Sequence, residues 1–192
     1  MLKRLTLTTG FLLAAAPAFA HISPEHGSSL MAGVTHPFSG LDHILAMVSV
    51  GLWAAMSGGK AKFILPAAFV AMMLAGFGLA LAGLVLPFME PAILASVVAL
   101  GLLVALAVRL PVAAGAAIVS VFALLHGNAH GIEIGQAEAA QFALGFAVST
   151  LILHAAGLFL GMAVANSNQR LARLLGAGTT VAGLALLIGR LG

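Results

Sequence analysis

Two short stretches hold most of the residues that could do chemistry. The first is His36-Pro37-Phe38-Ser39-Gly40-Leu41-Asp42-His43, and the second is Leu125-His126-Gly127-Asn128-Ala129-His130-Gly131-Ile132-Glu133. Imidazole and carboxylate donors, in a chain with no cysteine, suit Ni(II), Co(II), Zn(II) or Cu(II). A calcium or magnesium cage would need more oxygen ligands. Copper(I) prefers thiolate and thioether, and the methionines are scattered in apolar runs where they read as packing. Without cysteine there is also no disulfide, no thiolate site and no thiol nucleophile.

The spacings say which residues share a face. Pro37 suits a first helical position, because the N–H it lacks is one that a helix start leaves open. On a helix opened there, His36 sits near the cap, with Asp42 and His43 further inside. His36 and His43 then differ by about 20° in azimuth and face one way, with Asp42 about 100° to the side. In the second stretch His126 and His130 are spaced i, i+4, and Glu133 follows His130 by three. An unbroken helix would point all three in one direction. Alternatively, Gly127 and Gly131 loosen the helix and free backbone carbonyls as ligands. His21, His26 and His154 are further metal candidates. His154 falls deep in a later apolar run, where it reads equally as a packing residue.

The chain that must position these groups is 62% hydrophobic and 7% charged, with mean hydropathy +1.17. Soluble domains carry about 25% charged residues and disordered chains need low hydrophobicity, so both classes are excluded. A nucleic-acid surface needs a basic stripe, whereas the Lys and Arg here are scattered. Ionisable groups inside a bilayer are costly and mark function by default. That rule picks out the two histidine stretches.

Residues 1–20 read as a signal peptide: Lys3 and Arg4, an apolar run from Leu5 to Ala16, then the cleavage pattern Ala18-Phe19-Ala20. Cleavage would give His21 a free α-amine beside its ring, a chelating pair. A bilayer core of ~30 Å takes about 20 apolar residues per helix. Pro, Gly and the rare charges divide residues 21–192 into a single domain of six transmembrane helices, an all-α polytopic fold. The spans run from about Pro37 to Ser57, Phe63 to Leu86, Pro91 to Arg109, Pro111 to Leu125, Glu138 to Val164, and Leu171 to Ile188. Lys60, Lys62, Arg109, Arg170 and Arg173 fall in alternate connections, and Glu90, Glu133 and Glu138 in the others. The basic side is expected to be cytoplasmic, which puts both histidine stretches and His21 on the periplasmic side of a bacterial inner membrane. Arg190 alone dissents, and it can snorkel. Tyr is absent, so an aromatic belt would have to use Phe and Trp53. Small residues four apart, such as Gly157 and Gly161, let helix backbones approach closely.

The spacing His36, Asp42-His43, then His126 through Glu133, resembles the two signature motifs of the HupE/UreJ family, small nickel or cobalt permeases of hydrogenase and urease maturation. The likeness extends over essentially the whole mature chain. The family usually has Phe before the first histidine of the second motif, where this chain has Leu125. The resemblance implies that His36, Asp42, His43, His126, His130 and Glu133 recognise nickel or cobalt, bound transiently as cargo with no resident cofactor. It implies a permease, not an enzyme, with the metal ion and the bilayer as partners and no nucleic acid. No nucleotide-binding loop is present, so uptake would draw on the membrane potential or secondary coupling. Two other readings stand beside it: an intramembrane zinc-dependent hydrolase, and an accessory protein that binds metal without transporting it.

Overall fold

The computed structural model describes residues 29–191 apart from 136 and 168. The expected signal peptide, His21 and His26 lie outside the described residues. All regular structure among the described residues is helical: α1 (Ser29–Ser39), α2 (Leu41–Ser57), α3 (Ala61–Leu81), α4 (Met89–Ala105), α5 (Val112–Glu133), α6 (Ala139–Ser167) and α7 (Gln169–Leu191). Length and composition qualify α3, α5, α6 and α7 to cross a bilayer, and α1 with α2 makes a fifth candidate span, bent by 81°. Helix α4 has 17 residues, short of that standard. By these criteria four or five of the six expected spans qualify.

The bend corrects one expectation. Pro37 does not open a helix; it lies inside α1, where its ring and missing N–H disrupt the ladder and the helix ends two residues later. Gly40 then runs extended, at φ −109° and ψ 125°. The Ser39 hydroxyl donates to the His36 carbonyl at 2.6 Å, covering an acceptor left open at the helix end. His36 and His43 thus stand on different helices, and a shared helical face is not what relates them.

Helix α1 is held against α6. Ser149 Oγ donates to the Val34 carbonyl at 2.6 Å, and the Glu138 backbone N–H donates to Ser29 Oγ at 2.7 Å. Glu138 also caps α6, its carboxylate accepting the N–H groups of Ala140 and Gln141 at 3.0 and 2.8 Å. The core gathers Met47, Trp53, Leu65, Phe69, Met73, Leu100, Phe142 and Phe146, all essentially inaccessible. Trp53, which with Phe would have had to supply any aromatic belt, is buried and donates its indole N–H to the Val108 carbonyl at 2.8 Å.

Helix α5 stays helical through Glu133, so its glycines do not unwind it. A Cβ on Gly127 would run into the Met73 carbonyl, and one on Gly131 would come within 2.6 Å of the Ala80 side chain and 2.7 Å of the Phe77 carbonyl. These glycines let α5 lie backbone to backbone on α3. Alternation of the helices puts Lys60, Lys62, Arg109, Arg170 and Arg173 at one end of the bundle, the basic end. The bend at Gly40 and the connections 82–88 and 134–138 lie at the other, the bend end. Arg190 reaches that end and pairs with Glu90, Nη1 to Oε2 at 2.7 Å.

Candidate metal centre

Four of the predicted histidines meet just inside the bend end. His36 comes from the last turn of α1, His43 from the first turn of α2, and His126 and His130 from successive turns near the end of α5. His36, His43 and His130 each offer one ring nitrogen within 4.8 Å of the others, and all three residues are buried. An ion bound between such nitrogens is about 2.0–2.1 Å from each, so small ring rotations would close the set around a cation.

The hydrogen bonds order the protons. Asp42 Oδ1 lies 2.9 Å from His43 Nδ1. A carboxylate only accepts, so His43 Nδ1 carries the proton and Nε2 presents its lone pair. His43 Nε2 is 2.6 Å from His130 Nε2, which makes His130 the donor there. His130 Nδ1 then accepts from His36 Nε2 at 2.8 Å. The three imidazoles are strung on shared protons, and a cation that binds their nitrogens must displace those protons. Asp42 stands behind His43 as the orienting partner that metal-bound imidazoles commonly have. Glu133 Oε2 lies 3.6 Å from His130 Nδ1 with its side chain 55% exposed. That is too long for a hydrogen bond, and it places a carboxylate at the rim.

His126 sits one turn further into the bundle. Its Nδ1–H donates to the Phe122 carbonyl at 2.8 Å, so Nε2 holds the lone pair. That atom is buried and has no hydrogen-bond partner, and its ring centroid is 5.8 Å from that of His43. An unsatisfied buried polar atom costs about 1–3 kcal/mol. His126 thus brings a buried, unpaired Nε2 next to the group formed by His36, His43 and His130, without being one of the three whose nitrogens lie within 4.8 Å of one another. His154 is buried too, but apart from this group. Both its nitrogens lack partners, and its ring stands edge-on to Phe69, with centroids 5.0 Å apart.

Two supporting residues were not singled out as site residues from the sequence. A Cβ built at Gly40 would sit 2.6 Å from Asp42 Oδ1 and 2.7 Å from His43 Nδ1, so a side chain there would force that pair to shift. A glycine three residues after an intrahelical proline was the available signal. Asn128, buried between His126 and His130, donates from Nδ2 to the Leu84 and Gly76 carbonyls at 2.8 and 3.2 Å. Its Oδ1 accepts the Leu86 N–H at 2.9 Å. It ties the turn after α3 to α5. Its signal was a polar amide amid apolar residues.

A helical, multi-pass membrane protein with a buried histidine cluster at a broken helix is the class that fold and site define. A family model described as HupE / UreJ protein matches residues 9–186. The chain is also 44% identical over 191 residues to protein HupE of Rhizobium leguminosarum bv. viciae, covering 98% of this chain and all of that relative. It belongs to the HupE/UreJ family. No solved structure matches it.

Proposed function

We propose that this chain is a permease for a divalent transition metal, nickel or cobalt, that captures the ion at the bend end and passes it through the helix bundle. The observation that carries the reading is the cluster of His36, His43 and His130, with the bare Nε2 of His126 alongside. Asp42 would orient His43, and Glu133 would draw cations to the rim. His21 and His26 remain proposed additional ligands on the approach. Imidazole nitrogens with a nearby carboxylate match the preference of Ni(II) and Co(II), and membership of the family supports the same cargo.

A site at a break in a spanning helix is a recurring arrangement in transporters, because irregular backbone in a membrane is tolerated where protein buries it or it lines a path. Counting α4 as a short span gives six crossings in the inner membrane. The excess of Lys and Arg at the basic end supports a cytoplasmic position for that end, with the cluster outside. Arg190, the exception by sequence, is neutralised by Glu90. A potential of 100 mV is worth about 4.6 kcal/mol to a divalent cation moving inward. That energy supports roughly a 10³-fold accumulation without nucleotide hydrolysis.

A hydrolase would need a carboxylate free to activate a metal-bound water. Asp42 is engaged with His43, so that reading would fall to Glu133, which is exposed at the rim and makes no hydrogen bond to His130. Uptake of nickel and cobalt into liposomes holding the purified protein tests the proposal and separates it from a binding-only role. Flux that saturates at limiting metal and is lost in His43→Ala and His130→Ala is expected. Wild-type vesicles no leakier to either ion than empty ones would refute it.

A further inference from the structure

Among the described residues, the cluster at the bend end accounts for every buried histidine except His154. That residue is 1% exposed, and neither ring nitrogen has a hydrogen-bond partner. Most buried imidazoles that serve only packing find a partner for at least one nitrogen, so its isolation calls for a reason. Its surroundings supply donors of the right kind. One turn nearer the bend end on α6, Thr150 Oγ1 donates to the Met73 thioether of α3 at 3.6 Å. Both residues are fully buried. Phe69, one turn from Met73 on α3, faces the His154 ring. Between α3 and α6 there are thus two adjacent rungs, Thr150 with Met73 and His154 with Phe69.

The rungs continue a line from the cluster. Phe146 of α6 touches the His130 ring, with centroids 4.5 Å apart, and Thr150 and His154 follow it at successive four-residue steps, about 6 Å each along the axis. On the α5 side, His126 and His154 contact the same Phe69 ring, at 5.8 and 5.0 Å between centroids. The bare Nε2 of His126 and the bare ring of His154 therefore flank one aromatic side chain. The α2 and α6 backbones meet at this level, since a Cβ on Gly51 would run into the His154 carbonyl.

We propose that His154 is a second, inner metal station, which receives the ion from the His36, His43, His126 and His130 group, with the Met73 thioether and Thr150 hydroxyl as donors on the way. This rests on the permeation reading above. Imidazole, thioether and hydroxyl make a neutral, partly soft donor set. With no carboxylate in it, such a set binds a divalent ion more weakly than the cluster beside Asp42 and lets the ion leave again, as conduction requires.

The test combines equilibrium titration of the detergent-purified full chain with cobalt(II) chloride and cobalt flux in liposomes. The wild type should bind one ion tightly and a second weakly. His154→Gln, which keeps a polar side chain of similar reach, should lose the weak ion and keep the affinity of the tight one. Its flux should fall by about tenfold or more, as when a metal-supporting group is removed. The combined His36→Ala, His43→Ala and His130→Ala chain should keep only the weak ion. Thr150→Val with Met73→Leu, a nearly isosteric pair, provides a second check should His154→Gln unfold, and it should lower flux in the same way. A wild type that binds a single ion, or a folded His154→Gln chain with wild-type flux, overturns the proposal. An absence of wild-type flux would fail the permeation reading instead, and the titration would still decide whether the inner station exists.

Discussion

Each half of the candidate centre brings two histidines together, by opposite means. On α5, His126 and His130 are related by one turn of a continuous helix that runs to Glu133. On α1 and α2, His36 and His43 are related by an 81° bend at Gly40. The continuous arm is rigid along its length and pinned to α3 through Gly127 and Gly131. The broken arm depends on a proline that ends one helix, a glycine that makes room, and hydrogen bonds that hold α1 on α6. The two meet at His130, which contacts His36 through one ring nitrogen and His43 through the other. A site built this way can change at the break without unfolding the arm that anchors it.

The comparison is broken most severely at the joint itself. His130→Ala removes the ring that both arms share and should weaken nickel or cobalt binding by about 100-fold or more, roughly 3 kcal/mol, as read by calorimetric titration. If the loss matches that of His126→Ala, the arms are not joined at His130. Next in size is Asp42→Asn, which keeps the shape but removes the acceptor that orients His43. An expected loss of about 10- to 100-fold in affinity, with little change in thermal unfolding, marks an orienting role. Full affinity in that variant would mean that His43 is positioned by the bend alone.

Gly40→Ala sharpens the contrast between the arms. Its methyl would crowd Asp42 and His43, so the broken arm should lose about tenfold in affinity, near 1.4 kcal/mol. The α5 contacts should persist, which amide exchange of that helix would register. The smallest effect on the ion is expected from Asn128→Ala, on the continuous arm but facing away from the cluster. It would remove the hydrogen bonds to the Leu86 N–H and to the Leu84 and Gly76 carbonyls, at about 1 kcal/mol of stability each. Thermal unfolding should drop while affinity stays near that of the parent. A loss of affinity as large as that of Asp42→Asn would mean that the turn after α3 helps to shape the site.

How much was legible beforehand divides along the same line. His126 and His130 could be placed on one face because α-helical periodicity is local, and α5 obeys it. Periodicity also matches His36 with His43, but they converge across the bend and not along one helical face. Pro37 suits a helix start by residue type, yet it sits inside α1 near its end. A proline's fixed φ and missing N–H are compatible with both positions, and only the neighbours of the chain decide between them. The second stretch admits either an unbroken helix or one loosened at Gly127 and Gly131; α5 is unbroken, and those glycines lie against the Met73 and Phe77 backbones of α3. Trp53 suited a membrane interface by residue type, but the Val108 carbonyl gives its indole N–H a buried partner.

From the sequence alone came the class of molecule, the donor chemistry and the segregation of basic residues to one end, because all three follow from residue type and short-range order. Apolar runs must become helices in a bilayer, and imidazoles without cysteine restrict the metals they suit. What only the tertiary structure decided is which donors touch. The proton order through Asp42, His43, His130 and His36, the vacant nitrogen of His126 and the isolation of His154 all depend on α1, α2, α3, α5 and α6 packing together. Contacts between residues 94 positions apart, such as His36 with His130, are set by how glycine-lined helices fit, and no local pattern encodes that fit.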